Sequence, residues 1–142
     1  MPQTTTMTPA DGAALIERYY AACNRGDWDA MLDCLTDDVA HDLNQGEREV
    51  GRDSFRAFLA RMDRCYSEQL RRIVVMTHVD GARAAAEYEV HGTYKFDDEG
   101  LPPAKGQKYV LPGGAFFDLR GGKIARISNY YNLQDWIDQV SA

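Results

Sequence analysis

Glu87, Glu89 and His91 recur at every second position of 83-RAAAEYEVHGTYKF-96, and His41-Asp42 end a short apolar-led run that begins at Val39. Alternate residues of an extended strand leave the same side, so the first three share one face. A desolvated carboxylate beside an imidazole makes a proton-transfer pair near neutral pH. The same side chains contain oxygen and nitrogen metal ligands. Neither group has a recognised ligand spacing, however, and the third histidine, His78, falls near a hairpin end. Neither metal nor cofactor is expected. Cys23, Cys34 and Cys65 are odd in number, widely spaced and set in apolar helical patterns. They read as buried free thiols rather than nucleophiles or a disulfide framework.

The elements that must carry these groups follow from periodicity. Residues 1–7, MPQTTTM, are polar and patternless and are expected to form a mobile arm, with one domain over 8–142. Thr8-Pro9-Ala10-Asp11 reads as a helix start, and Ile16, Tyr19, Tyr20 and Cys23 make one apolar face up to Gly26. Asp27 can cap a second short helix carrying Trp28, Met31, Leu32 and Leu35, which breaks at Thr36-Asp37-Asp38. After a short strand over 39–42 and a turn at Asn44-Gln45-Gly46, Phe55, Phe58, Leu59, Met62 and Tyr66 mark a third helix from about Asp53 to Ser67. The period then shortens. Strands are expected over 70–79, 83–96, 107–119 and 123–132, joined by Asp80-Gly81, a looser 97–106 connection and Gly121-Gly122, before a terminal helix over 133–140. Helices followed by long antiparallel strands indicate an α+β domain.

Charge narrows the partners. With 16 Lys+Arg against 22 Asp+Glu the net charge is −6, which argues against nucleic-acid or anionic-membrane surfaces and favours a small organic ligand. No signal-like segment or apolar run of spanning length occurs in the sequence, so a cytoplasmic location is the expectation.

The layout with "GDWDAMLDCLTDDV" leading into a short strand, "GRDSFRAFL" opening a helix and "GGKIARISNYYN" near the end resembles the nuclear-transport-factor-2-like (NTF2-like) superfamily. Its SnoaL-like and ketosteroid-isomerase-related branch is the most similar, over about residues 10 to 140. The resemblance implies a cone of three N-terminal helices packed on a strongly bent antiparallel sheet, with a short C-terminal helix and dimerisation through the sheet. It also implies cofactor-independent acid–base chemistry, of isomerase or lyase type, on a carbonyl or hydroxyl compound. A non-catalytic binding module and water addition to an epoxide remain alternatives on the same fold.

Ketosteroid isomerase combines an Asp base with an oxyanion hole of a Tyr and a protonated Asp. Carried across by position, the base falls on Asp42 and the phenol on Tyr19, while the second oxyanion donor falls on Gly113 or Gly114. Loss of one such donor costs about 2.7–4 kcal/mol of transition-state stabilisation, which disfavours steroid isomerisation. The family pattern further implies that Ala85, Glu87, Glu89, His91 and Thr93 face the pocket. His91 would then act as acid or base oriented by Glu87, with Glu89, Ile127, Asn129, Tyr131, Leu111 and Phe58 contacting substrate. The hydrophobic pattern alone favours the opposite parity, with Tyr88, Val90 and Tyr94 facing the core. By strand alternation, an inward Asp42 turns His41 to the surface.

Overall fold

Thr8 begins the first helix by a reciprocal cap: its hydroxyl accepts from the Asp11 amide and its own amide donates to the Asp11 carboxylate, each at 3.1 Å. The computed structural model describes residues 7–142. Helix α1 spans Pro9–Asn24, and α2, Trp28–Asp33, follows a turn in which Gly26 has φ +70° and Asp27 caps through the Ala30 amide. Strand β1 (Leu35–Asp42) starts earlier than its apolar run suggests. The extension comes from pairing with the last strand, which no local pattern announces. A three-residue strand β2 (Arg48–Val50) precedes α3 (Arg52–Cys65), and β3 (Tyr66–Thr77) follows with no intervening loop. Strands β4 (Arg83–Tyr94), β5 (Lys108–Arg120) and β6 (Lys123–Tyr131) lead to α4 (Leu133–Ser141), capped by Asn132.

The six strands run in the order β2-β1-β6-β5-β4-β3. All pairings are antiparallel except β1 with β6, which is parallel and corrects the wholly antiparallel sheet expected from sequence. Register shifts at Arg71/Val74 and Asp118/Leu119 mark bulges, which bend and twist strands. The result is a curved, unclosed sheet with helices on one side. The expected arm over 1–7 lies outside the described residues except for Met7, whose carbonyl covers Gly81 so closely that no Cβ fits there.

Burial alternates along β4. Ala84, Ala86, Val90 and Tyr94 are buried on the helix side, whereas Glu87 is exposed and Glu89 and His91 are half-buried on the other face. The hydrophobic pattern therefore decides the parity, and the pocket-facing set implied by resemblance is inverted. Strand β1 is inverted too: His41 is 1% exposed on the helix side, while Asp42 turns to the outer face. His41 at the surface is thus corrected by the rings of Phe55 and Phe58, centred 4.9 and 4.5 Å from the imidazole.

Candidate functional site

Two hydrophobic clusters form on the helix side of the sheet. The first includes Leu15, Ile16, Tyr19, Tyr20, Phe55, Phe117 and Ile127 beneath α1 to α3. The second gathers Tyr66, Tyr94, Tyr109 and Leu111 around Trp136 and Val140 of α4. Leu70 and Tyr88 touch both clusters and are only half-buried. They mark the seam between the clusters, and polar side chains of strands β3 to β6 lie along it on the helix side.

Glu68 is one of them. It pairs across β4 with Gly92, which pairs with Tyr109 on β5. The Tyr109 ring lies over Gly92, where any Cβ would collide with it, and its hydroxyl donates to Glu68 Oε2 at 2.5 Å. Glycine is required there because a ring must cross the strand. The last turn of α1 fixes this part of β3: Asn24 donates from Nδ2 to the Leu70 carbonyl at 2.9 Å and accepts from the Leu70 amide at 2.8 Å. Gln69 Nε2 also donates to the Asn24 carbonyl at 2.8 Å.

Burial shifts the carboxyl and several other ionisable groups. Burial raises the Glu68 pKa from its ordinary value, outweighing the lowering effect of the Tyr109 hydroxyl. Burial likewise pushes Tyr88 and Cys23 up to about 12, and the Glu68 charge adds to both. Tyr109 and Tyr131 are also raised, first by burial and then in part by Glu68. All these phenols remain protonated near neutral pH and are hydrogen-bond donors. Tyr88 owes its position to another glycine: a Cβ on Gly113 would stand 2.7 Å from Tyr88 Cε1. The position that lacks the second oxyanion donor is therefore occupied by the ring of a neighbouring strand's tyrosine.

A second polar group closes the β1 end. With Asn129 Nδ2 donating, His41 Nε2 accepts at 3.0 Å, which leaves the imidazole proton on Nδ1, 3.7 Å from Glu49 Oε1. Burial lowers the His41 pKa to about 4, the Asp42 charge opposing and Arg61 assisting. His41 is neutral at physiological pH. Nearby, Asp98 accepts from the Tyr66 hydroxyl at 2.7 Å, and the Arg61 guanidinium lies 5.8 Å from the centre of the Phe58 ring.

The structure separates the residues that the resemblance brought together. Asp42 accepts from Arg48 Nε at 2.6 Å and Nη2 at 3.1 Å, and from Ser128 Oγ at 2.5 Å. Its pKa is held down to about 2, chiefly by the Arg48 hydrogen bond. Ser128 also accepts from Arg126, which grips Asp118 with two bonds of 2.9 and 3.1 Å. Asp42 is thus part of an ion-pair network on the outer face. Glu87 and Glu89 border a groove of about 410 Å³ that Tyr88 and Leu111 also line, and His91 Nε2 meets Glu89, not Glu87, at 2.6 Å. Strands β6 and β5 separate Asp42 from β4. Tyr19 is on the helix side, packed edge-on against Tyr20 and Phe117. The expected cavity shared by Asp42, Glu87, His91 and Tyr19 is not formed.

Ile127, Asn129 and Phe58 do lie on the helix side around His41, Tyr131 ends β6 and is 41% exposed, and Leu111 is buried in the second cluster. Cys34 and Cys65 are buried free thiols, whereas Cys23 is half-exposed. No group of three or more potential ligand side chains suited to a metal occurs among the described residues, and no described helix is long and apolar enough to cross a membrane.

Residues 16–127 match the family model of the SnoaL-like domain. The chain belongs to the SnoaL-like domain family. A search of curated proteins gave no match. Among solved structures, a candidate polyketide cyclase from Xanthomonas campestris pv. campestris is 61% identical, with a TM-score of 0.90 over 93% of this chain and 98% of that one. A second candidate polyketide cyclase, from Pseudomonas putida KT2440, is 58% identical, with a TM-score of 0.91 over 94% and 98% of the two chains. An LEH-like epoxide hydrolase from M. tuberculosis shares the fold at 18% identity and a TM-score of 0.69, over 94% of this chain and 91% of that one. The SnoaL-like fold assigned from sequence is thereby established.

Glu68 and Tyr109 were not singled out by sequence reasoning. Glu68 and Gln69 fall between a helix expected as far as Ser67 and a strand expected from Leu70. The signal was present in Tyr66-x-Glu68-x-Leu70, an acid at the middle of three alternate, otherwise apolar positions.

Proposed function

We propose that this SnoaL-like protein is a cofactor-independent acid–base catalyst acting on a carbonyl compound, with Glu68 as the base. The observation that carries the proposal is a desolvated carboxyl bonded at 2.5 Å to Tyr109, a member of the aromatic second cluster. Desolvation strengthens Glu68 as a base once ionised, since basicity follows pKa. Removal of a proton α to a carbonyl creates an enolate, and the phenols of Tyr88 and Tyr131 are the donors available to its oxygen. The enolate then takes back a proton at another carbon, giving an isomerase, or attacks a second carbonyl, giving a cyclase. Relatives described as candidate polyketide cyclases support the cyclising outcome.

The chemistry can be tested without the natural substrate. Methyl ketones in D2O, followed by proton NMR, should exchange their α-hydrogens faster with the wild-type protein than in buffer. Glu68→Gln should lower that rate by about 10²–10⁴, the usual contribution of a general base. The wild-type rate should fall as pH drops through the raised Glu68 pKa, because the ionised form is the base. Full exchange in Glu68→Gln would exclude Glu68 as the base.

The same proposal includes a homodimer through the outer face of the sheet. There Val74, Met76, Phe116 and Tyr130 are each at least half exposed, at 54, 50, 52 and 57%. Phe116 and Tyr130 touch edge-on, with ring centres 5.6 Å apart. A contiguous apolar stripe of this kind on a sheet face fits a self-complementary partner. Light scattering should give a dimer for the wild type and a monomer for Phe116→Glu/Tyr130→Glu; a wild-type monomer at high concentration contradicts the assignment.

A further inference from the structure

A cavity of about 480 Å³ opens where α1, α2 and the turn between β5 and β6 meet. It lies at the opposite end of β6 from Tyr131, since Lys123, the first residue of that strand, lines it. Arg18 of α1, Arg25 at the end of α1 and Lys123 border the space together, and the one carboxylate beside them is Asp33. Three cations against one acid run counter to a chain whose net charge is −6.

Small residues keep the space open. Ala21 stands between the two arginines on α1, Ala30 lines the cavity from α2, and a Cβ on Gly122 would meet nothing within 4 Å. Leu15, 1% exposed, supplies an apolar wall, and the Cys34 thiol is tied to it from within by donating to the Ala30 carbonyl at 3.4 Å. The cations keep donors for a ligand. Arg18 enters none of the ion pairs among the described residues, and Arg25 meets only Asp27, at 3.3 Å, with its side chain 56% exposed. Lys123 is held by donating to the Asp33 carbonyl, which uses one of its three N–H groups. Burial raises the pKa of the Cys34 thiol while Arg18, Lys123 and Arg25 each lower it, so the three charges bear on one point of the cavity wall. Arg72, by contrast, borders its groove beside Glu87 and Glu89.

We propose that this cavity binds the diphosphate group of a small organic molecule. Seven residues of helix separate Arg18 from Arg25 by about 10.5 Å along the axis, so the two side chains reach a pair of linked phosphates from opposite ends. Guanidinium forks match phosphate oxygens in paired bonds, and Lys123 adds a point charge between the elements. The organic part rests against Leu15, Ala21 and Ala30. The site is separate from Glu68, and neither reading depends on the other.

ADP, adenosine and inorganic pyrophosphate are the probes, titrated calorimetrically in metal-free buffer into wild type, Arg18→Gln, Arg25→Gln and Arg71→Gln. Wild type is expected to bind ADP at least tenfold more tightly than adenosine and several-fold more tightly than pyrophosphate. Arg18→Gln and Arg25→Gln should each weaken ADP by about tenfold or more, the scale of a hydrogen bond to a charged group. Arg71→Gln removes the same charge from β3 and should change ADP binding less than twofold. Both cavity arginines are exposed, so their replacement leaves the circular dichroism of the protein unchanged. No binding of ADP, equal binding of adenosine, or ADP binding undiminished in Arg18→Gln and Arg25→Gln would each overturn the proposal. So would an equal loss in Arg71→Gln, which would mean that only the general field of the protein is felt. Pyrophosphate bound as tightly as ADP would overturn the organic half and leave an inorganic diphosphate site.

Discussion

His41 makes the protein sensitive to acid in a way that can be worked from its surroundings. Burial between Phe55 and Phe58 lowers its pKa from 6.5 to about 4. The unfolded chain therefore binds a proton at pH values where the folded protein does not. Folding stability is complete above pH 6.5 and is lost as pH falls toward 4. The thermodynamic cycle gives a loss of about 2.5 kcal/mol by pH 4.5 and about 3.4 kcal/mol at the lower limit, using roughly 1.36 kcal/mol per unit of pKa. His41→Gln keeps an amide beside Asn129 and removes the titration. Urea unfolding of both proteins from pH 7.5 to 4.5 should show the stability difference shifting in favour of the variant by about 2.5 kcal/mol. The difference between the two curves matters because Glu68 and the surface carboxylates titrate in both proteins. Parallel curves would mean that the imidazole is charged in the folded state, and that its contact with Glu49 is a formed ion pair.

Asp42→Asn should leave α-hydrogen exchange intact and lower stability by about 1 kcal/mol, the scale for a partly exposed ion pair. The wild-type contribution should be present above pH 3.8 and disappear as pH falls through about 2, the folded value of Asp42. Loss of exchange in a variant that remains folded would return Asp42 to the chemistry. Gly113→Ala should cost about 1–3 kcal/mol in urea unfolding, because its Cβ forces the Tyr88 ring away. Gly114→Ala, whose nearest atom is the Ala86 carbonyl oxygen at 3.1 Å, should cost less. Equal losses would mean that Tyr88 moves freely.

Much of the fold was legible because its signals are local. The Thr8 cap, the Asp27 cap, the Asp80-Gly81 and Gly121-Gly122 turns and the Asn132 cap each specify a boundary through neighbouring groups. The parallel pairing of β1 with β6 was not legible, since it joins residues such as His41 and Ile127 that are far apart in sequence. The site was misread for a related reason. Strand alternation states which residues share a face but not which face the helices cover, and the positional analogy chose the wrong one for β1 and β4.

The hydrophobic pattern held the answer on β4, where Ala84, Ala86, Val90 and Tyr94 could be buried together only if Glu87 faced away. Once that parity is fixed, the row from Glu68 through Gly92 to Tyr109 follows from strand register. Gly92 has no side chain with which to claim a role. Its importance comes from the Tyr109 ring that occupies its place and carries a hydroxyl to Glu68. A glycine opposite an acid on one strand and a tyrosine on the other thus builds the contact on which the proposed chemistry rests, and it does so through a residue that sequence reasoning passes over as filler.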